Sequence, residues 1–143
     1  MTTQAIYDLL GGQRAFGVPP PTLDHLRELL EGGLPFAALE TIKESLALTR
    51  AEVLGVLAIT DRTLVRRKKE SRLQASESDR LFRLARVAAL AVDVLEGEEK
   101  ARRWLHKPNR ALGGEVPLAL LSTDIGARQV EELLYRIDHG LFS

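Results

Sequence analysis

The feature that most restricts the fold of this chain is a pair of helix starts that lie eleven residues apart. Thr49 and Glu52 form a capping box, in which the hydroxyl and the carboxylate each satisfy a backbone N–H that a helix leaves free at its N-terminus. After a short break at Ala58-Ile59, Thr60 is the next N-cap. The sequence therefore predicts a helix over residues 50–57, a tight turn, and a second helix that begins directly after Thr60.

The second helix of this pair carries a local excess of positive charge. Residues 61–86 contain nine Lys or Arg against four Asp or Glu, whereas the whole chain has twenty of each kind. At about 100° per residue, Arg62, Arg66 and Lys69 share one face of that helix. A helix, a tight turn and a basic second helix are typical of the helix-turn-helix motif, whose second helix enters the major groove of DNA. The residues predicted to contact DNA are Thr60, Arg62, Thr63, Arg66, Arg67 and Lys69.

Two positions depart from the usual motif. Ala58 stands where helix-turn-helix turns usually have glycine, although that position tends to a left-handed backbone that is unfavourable for a residue with a Cβ. Leu54 stands where a small residue is common at the crossing of the two helices, which predicts slightly wider packing. The basic run at residues 66–69 is also compatible with a helix face that is merely solvated.

Composition and periodicity predict an all-α fold for the whole chain. Aromatic residues make up only 5% of the sequence, and good helix formers dominate it. Ser76 is the predicted N-cap of the longest further helix, which Gly97 ends. Other helical segments are predicted over residues 23–30, 36–48, 98–105, 117–121 and 126–139.

These elements divide the chain into three predicted parts. Residues 1–34 contain two glycine pairs and three consecutive prolines, and are predicted to form a loosely built N-terminal arm. The helix-turn-helix DNA-binding part covers residues 35–75, and a small helical part follows over residues 76–143. The proline run has three interpretations: a linker, a clasp between subunits, or part of the core.

Several classes of function are excluded by what the chain lacks. It contains no cysteine, which excludes disulfide scaffolds, thiolate zinc sites and cysteine nucleophiles. His25, His106 and His139 show no metal-ligand spacing and no motif indicates catalysis, so we expect neither a metal, nor a cofactor, nor enzymatic activity. No apolar run approaches the ~20 residues that cross a bilayer, and the first residues show no signal-peptide pattern. We therefore expect a cytoplasmic protein without a membrane partner.

An ordered series of motifs begins in the second helix of the pair and continues almost to the last residue. It consists of Arg62-Thr63-Leu64-x-Arg66-Arg67-Lys68, Ser78-Asp79-Arg80-Leu81, Leu84-Ala85-Arg86-Val87, Lys100-Ala101-x-x-Trp104-Leu105, Pro108-Asn109-x-Ala111-Leu112-Gly113-Gly114, Pro117-Leu118-x-Leu120-Leu121-x-Thr123 and Gly126-Ala127-x-x-Val130-Glu131-x-x-Leu134-x-Arg136-Ile137-x-x-Gly140. In this order the motifs resemble the Xre/MbcA/ParS family of antitoxins, the partners of RES-domain and related toxins. The resemblance covers about residues 36–143 and leaves the arm unmatched.

The resemblance implies a protein of two parts. A Xre-like helix-turn-helix would bind operator DNA and repress its own operon, and the C-terminal part would bind a cognate RES-domain toxin. Such toxins resemble ADP-ribosyltransferases that deplete NAD, and the antitoxin stops them by covering the active site, so NAD would belong to the partner. Because helix-turn-helix proteins usually bind half-sites as dimers, we expect a homodimer within a larger complex with the toxin.

The last helix and the C-terminus supply the residues expected to contact the toxin. They are Arg128, Glu132, Arg136 and His139 on the polar side of the helix, and Leu141, Phe142 and Ser143 at the end of the chain. A solvated face is the alternative for the first four, and packing on this chain itself is the alternative for the apolar end. Trp104 is interpreted as a core aromatic rather than as an anchor for a partner.

Two other functions remain open from the sequence. A free-standing helix-turn-helix transcriptional regulator would use its C-terminal helices only to dimerise, and would bind DNA without forming a toxin complex. A protein-interaction module whose helix-turn-helix no longer binds DNA would tolerate replacement of Arg62 and Arg66 without any effect.

Overall fold

A computed structural model describes residues 3–17 and 22–140. Within these ranges the chain is all-α, as predicted, and none of its helices is long and apolar enough to cross a membrane. The α-helices are α1 (Thr3–Leu9), α2 (Gly12–Phe16), α3 (Leu23–Gly32), α4 (Phe36–Ser45), α5 (Arg50–Leu57), α6 (Asp61–Glu70), α7 (Ala75–Leu95), α8 (Glu98–His106) and α9 (Asp124–Asp138). Two 3₁₀ helices, Arg110–Leu112 and Pro117–Leu120, connect α8 to α9.

Helix α7 is the centre of the fold, and helices α1, α3, α5, α8 and α9 all contact it. In the middle of this helix the side chains are buried on nearly every side, and Ala85, Ala88 and Ala91 have no exposed surface. Small side chains at a helix crossing let the neighbouring helices approach closely. One continuous hydrophobic core therefore extends from Ile6 in α1 to Leu134 in α9.

The N-terminal segment is not the loosely built arm that the sequence predicts, because its described residues are helical and packed. Ile6, Tyr7 and Leu10 at the N-terminus and Leu26 of α3 are buried. Gly11, which the sequence marks as a break, adopts φ 107° and joins α1 to α2. Helices this short are unstable alone and gain their stability from packing on the rest of the molecule. The proline run lies outside the described residues.

Two contacts fix the N-terminal helices in place. The rings of Tyr7 and Phe16 are stacked, with their centroids 5.1 Å apart, and burial raises the pKa of the Tyr7 hydroxyl. The backbone N–H of Leu34, which follows α3, donates to the buried hydroxyl of Ser78 in α7 at 2.7 Å. The predicted arm is thus part of the same packed unit as the central helix.

The two helices of the predicted motif begin where their caps place them. The backbone N–H of Glu52 donates to the Thr49 hydroxyl at 3.1 Å, and the N–H of Thr49 donates to the Glu52 carboxylate at 2.8 Å, which confirms the capping box. Thr60 caps α6 by accepting from the N–H of Thr63 at 3.2 Å. Between the helices, Ala58 has φ 55° and ψ 47°, the left-handed conformation expected at this turn.

Two helix starts differ from the prediction. Helix α7 is capped by Gln74, whose backbone N–H donates to the Glu77 carboxylate at 2.9 Å, so Ser76 lies inside the first turn and is not the cap. Helix α9 begins two residues earlier than predicted, because the hydroxyl of Thr123 accepts from the backbone N–H of Gly126 at 3.0 Å. In α7 the side chain that completes the cap is that of Glu77, three residues after Gln74, whereas in α9 it is that of the N-cap residue Thr123 itself.

Candidate DNA-binding and partner-binding surfaces

The outward face of α6 carries the cations predicted to contact DNA. Arg62, Arg66 and Lys69 are exposed, and together with Val65 they line one shallow depression of the surface. Leu64 lies on the opposite side of the helix, where it is buried and anchors α6 to the core. A helix whose inner side is fixed and whose outer side is basic is arranged to contact phosphates and base edges in a DNA groove. We call these four outward residues the basic face.

The N-terminal end of α6 holds the two threonines of the predicted site. The hydroxyls of Thr60 and Thr63 are hydrogen-bonded at 3.0 Å, at a helix end that favours phosphate. Asp61 lies beside them and pairs with Arg50 at the start of α5. The hydrogen bond to Arg50 lowers the pKa of the Asp61 carboxyl, and the same bond raises the pKa of Arg50. This pair offsets the negative charge that Asp61 brings close to the basic face.

Arg67 does not lie on the basic face, although the sequence predicts that it contacts DNA. Only 5% of the residue is exposed. Its Nε donates to the two Glu77 carboxylate oxygens at 2.7 and 3.1 Å, and its Nη1 donates to Glu70 at 3.0 Å. The hydrogen bond to Glu77 is the main reason that the pKa of Arg67 is raised. Arg67 lies on the inward side of α6 with Leu64, and it ties α6 to the first turn of α7.

The exposed side of α9 contains the four helical residues predicted to contact the toxin. Arg128, Glu132, Arg136 and His139 are all exposed and lie on one side of the helix. Val130 and Leu134, among the residues of the opposite side, are fully buried. The structure therefore brings the four predicted residues together on one solvent-facing strip, which we call the α9 face.

Two apolar residues of the α9 face were missed by the sequence analysis. Ile125 is 68% exposed and Tyr135 is 46% exposed. Tyr135 follows Arg128 and Glu132 at helical spacing, and this spacing was the signal that could have identified it. Exposed apolar side chains among charged ones resemble the composition of protein interfaces, where aromatic side chains anchor the contact.

Internal contacts hold α9 and its surroundings in place. Arg128 donates to Asp124 of the same helix at 3.0 Å, and Arg86 of α7 donates to Glu131 at 2.9 Å.

Trp104 of α8 is half-buried and packs against the core, in agreement with its interpretation as a core aromatic. The predicted contact residues Leu141, Phe142 and Ser143 lie outside the described residues. The last described residue, Gly140, ends the helix with φ 68°.

The two surfaces are both attached to helix α7. Helix α6 is joined to the start of α7 by Arg67, and α9 is joined to the middle of α7 by Arg86. A further contact joins the two parts, since His106 Nε2 of α8 lies 3.5 Å from the Glu52 carboxylate of the α5 capping box.

In the part of the chain that the structure describes, no group of three acidic, histidine or cysteine residues is arranged to hold a metal ion.

The fold and these surfaces define the class as a helix-turn-helix protein whose motif shares a long helix with a second helical part. The family model of the antitoxin Xre-like helix-turn-helix domain matches residues 25–86, and that of the antitoxin Xre/MbcA/ParS C-terminal toxin-binding domain matches residues 90–140. The chain belongs to the Xre/MbcA/ParS family of antitoxins, the antitoxin components of toxin–antitoxin systems. The resemblance found in the sequence motifs is thereby confirmed.

Curated relatives agree with this membership. The chain is 34% identical over 132 residues to Antitoxin Xre of Photorhabdus laumondii, a match that covers 91% of this chain and 89% of that protein. Antitoxin Xre of Yersinia enterocolitica is 33% identical over 132 residues, with the same shares covered. Antitoxin Xre of Pseudomonas putida is 44% identical over 80 residues, which cover 55% of this chain and 50% of that protein.

Proposed function

We propose that this antitoxin neutralises a RES-type, NAD-depleting toxin by covering its active site, and that it binds operator DNA to regulate its own transcription. The observation that carries the first half is that the match to the toxin-binding domain includes the whole of α9, whose outward side exposes both charged and apolar residues. Both activities belong in the cytoplasm, where operator DNA is located. No cofactor is required in this mechanism, because NAD is the substrate of the toxin.

The proposed toxin contact is the α9 face. Ile125 and Tyr135 supply apolar area, and the charged residues between them supply orientation and select the partner. Arg128, Glu132, Arg136 and His139 are the charged and polar members of this surface. Leu141, Phe142 and Ser143 follow directly after Gly140, and we propose that this end continues the contact into the cleft of the toxin.

The proposed DNA contact is the basic face of α6 with the threonine hydroxyls at its N-terminus. In this proposal Arg62 and Arg66 contact base edges, and Lys69 and the threonines contact phosphates. One copy of α6 covers one half-site, so two copies are needed for an operator whose half-sites lie one DNA turn apart. We therefore propose a homodimer that the toxin joins in a larger complex.

Co-expression with the protein encoded beside this gene tests the proposal. Size exclusion with light scattering reports the complex, and the cellular NAD concentration reports the toxin. We expect a stable hetero-complex, with NAD preserved only when this chain is present. A variant with Arg128→Glu and Arg136→Glu should lose protection of NAD and retain DNA binding. The matched variant with Arg62→Ala and Arg66→Ala should lose DNA binding and retain protection.

Other outcomes would contradict specific parts of the proposal. A stable complex with undiminished NAD loss would refute neutralisation. A toxin that leaves NAD unchanged when it is expressed alone would refute the RES type. A homodimer that elutes without the toxin, together with a cellular NAD concentration that this chain does not change, would favour a free-standing transcriptional regulator.

A further inference from the structure

We propose that Val65 recognises a thymine through its C5-methyl group, so that an apolar contact determines part of the operator sequence. This inference rests on the proposed binding of operator DNA. Val65 is 44% exposed, and it is the only apolar residue among the four that form the basic face. In a complex with DNA, an apolar side chain held among three cations on the outward side of a recognition helix would contact a group other than a phosphate.

Val65 lies on the side of α6 that would face the major groove of DNA. Leu64 and Arg67 are buried and mark the inward direction of the helix. At about 100° per residue, Arg62 and Lys69 point almost directly outward, and Val65 lies about 50° to one side. Arg66 lies about 50° to the other side, so Val65 and Arg66 flank the outward direction equally.

Val65 also lies in the half of α6 that meets bases. Helix α6 runs from Asp61 to Glu70, which places Val65 at its fifth residue. In helix-turn-helix proteins the N-terminal residues of the second helix contact base edges, whereas more distant parts contact the backbone. Arg62 precedes Val65 by three residues and therefore lies next to it on the helix surface.

The chemistry of the side chain selects one base. Valine neither donates nor accepts a hydrogen bond, so it adds nothing at a phosphate or at a polar base edge. Thymine presents the C5-methyl group in the major groove, and apolar side chains contact it there. The β-branched side chain has one strongly preferred rotamer in a helix, which holds its methyl groups in a fixed direction. Arg62 or Arg66 beside it would recognise a guanine in a neighbouring base pair.

The fold itself gives little reason for valine at this position. Leu64 supplies the buried anchor of the helix, while Val65 lines the groove between α4, α5 and α6 but remains 44% exposed. Valine is a weaker helix former than alanine, so an exposed valine does not strengthen α6. Replacement by alanine is therefore compatible with folding, which makes the proposal testable.

The test combines a protein variant with a DNA variant. Duplexes that bind the full-length wild-type protein are selected from a random pool, and each thymine of one half-site is then replaced by uracil, which lacks only the methyl group. We expect one replacement to weaken wild-type binding about fourfold, the effect of about 0.8 kcal/mol for one buried methyl group. Val65→Ala should reduce the effect of that replacement to less than twofold. Circular dichroism checks that the variant is folded.

The matched control is Lys68→Ala, at a neighbouring exposed position of α6. It should keep the fourfold difference between thymine and uracil, because Lys68 is not part of the basic face. The proposal is overturned if no thymine is sensitive to replacement, or if Val65→Ala retains the full fourfold difference. If no sequence is enriched from the pool, operator binding is refuted, and the proposed contact of Val65 with thymine is refuted with it.

Discussion

At the scale of single residues, the contact between Arg67 and Glu77 determines how α6 is held. Both side chains are almost completely buried, and the Glu77 carboxylate also accepts from the backbone N–H of Gln74. One carboxylate thus completes the N-terminus of α7 and binds the guanidinium of α6. The orientation of the basic face depends on this contact, although neither residue reaches the surface.

Replacement of Arg67 by methionine should be strongly destabilising. The change leaves the Glu77 carboxylate buried without its cation, which typically costs about 3–5 kcal/mol of the free energy of unfolding. Urea denaturation of the wild type, the two single variants Arg67→Met and Glu77→Gln, and the double variant measures the coupling. Arg66→Met is the exposed control and should change stability by no more than about 0.5 kcal/mol. Equal losses for both arginines would contradict the buried pair.

Gly126 provides a second prediction at this scale. A Cβ at this position would overlap the backbone carbonyl of Leu120, which a small adjustment cannot move away. Gly126→Ala should therefore lower the free energy of unfolding by about 1–3 kcal/mol despite the better helix propensity of alanine. Gly55 is the matched control, because a Cβ there meets no atom within 4 Å. Gly55→Ala should raise stability by up to about 1 kcal/mol, as measured by thermal denaturation.

The sequence identified surface residues of α6 better than buried ones, for a physical reason. Arg62, Arg66 and Lys69 were predicted correctly to be exposed, because helical spacing alone places them opposite Leu64. Arg67 was misassigned, because its burial depends on Glu77, which the fold brings to it from the next helix. Periodicity describes the faces of one helix and does not say which partner charge a neighbouring helix will supply.

At the scale of elements, the turn between α5 and α6 stores a small amount of strain. Ala58 occupies the left-handed region with φ 55°, where a Cβ is crowded by the following carbonyl oxygen. Directly after the turn, the Thr60 hydroxyl caps α6 and fixes where that helix begins. The tight geometry of the motif is therefore kept at a cost that glycine would avoid.

Ala58→Gly should stabilise the protein. Removal of the Cβ relieves about 1–2 kcal/mol of left-handed strain, partly offset by the greater freedom of glycine in the unfolded chain. We expect a net gain of about 0.5–1 kcal/mol in the free energy of unfolding, measured by urea denaturation. The control Ala51→Gly, at an exposed position inside α5, should lose about 1 kcal/mol. A loss at both positions would contradict the strained turn.

The accuracy of the predicted elements depends on how local their determinants are. Thr49, Glu52 and Thr60 act within four residues of themselves, so the boundaries of α5 and the start of α6 could be read from the sequence. Helix α3 of the predicted arm was also expected from its sequence, whereas α1 and α2 could not be, since they are too short to show periodicity. Their stability comes from contacts of residues such as Ile6 and Leu10 with a core built far along the chain.

At the scale of the whole molecule, the two parts of the antitoxin share one core. Helix α7 spans the boundary between the two family matches and is contacted by helices from both sides. The C-terminal part also contacts the helix-turn-helix directly, through the 3₁₀ helix at Pro117–Leu120 and α5. Such an arrangement favours cooperative unfolding of the whole chain over separate unfolding of two domains.

Unfolding should therefore give one transition whichever part is observed. Trp104 is the only tryptophan in the sequence and reports on the C-terminal part by fluorescence, whereas circular dichroism reports on all helices. We expect both signals to give the same midpoint in urea. A fluorescence midpoint that differs clearly from the circular dichroism midpoint would show that the parts unfold separately.

The central position of α7 also constrains how these antitoxins can diversify. Helix α7 packs against both α5 and α9. If two antitoxin genes exchanged their N-terminal or C-terminal halves, α7 would pack against helices whose side chains have not evolved to fit it. The operator and toxin preferences that we propose for α6 and α9 are therefore expected to be inherited together. Substitutions at exposed positions, such as Val65 in α6 and Glu132 in α9, change one surface at a time and leave the packed interior unchanged.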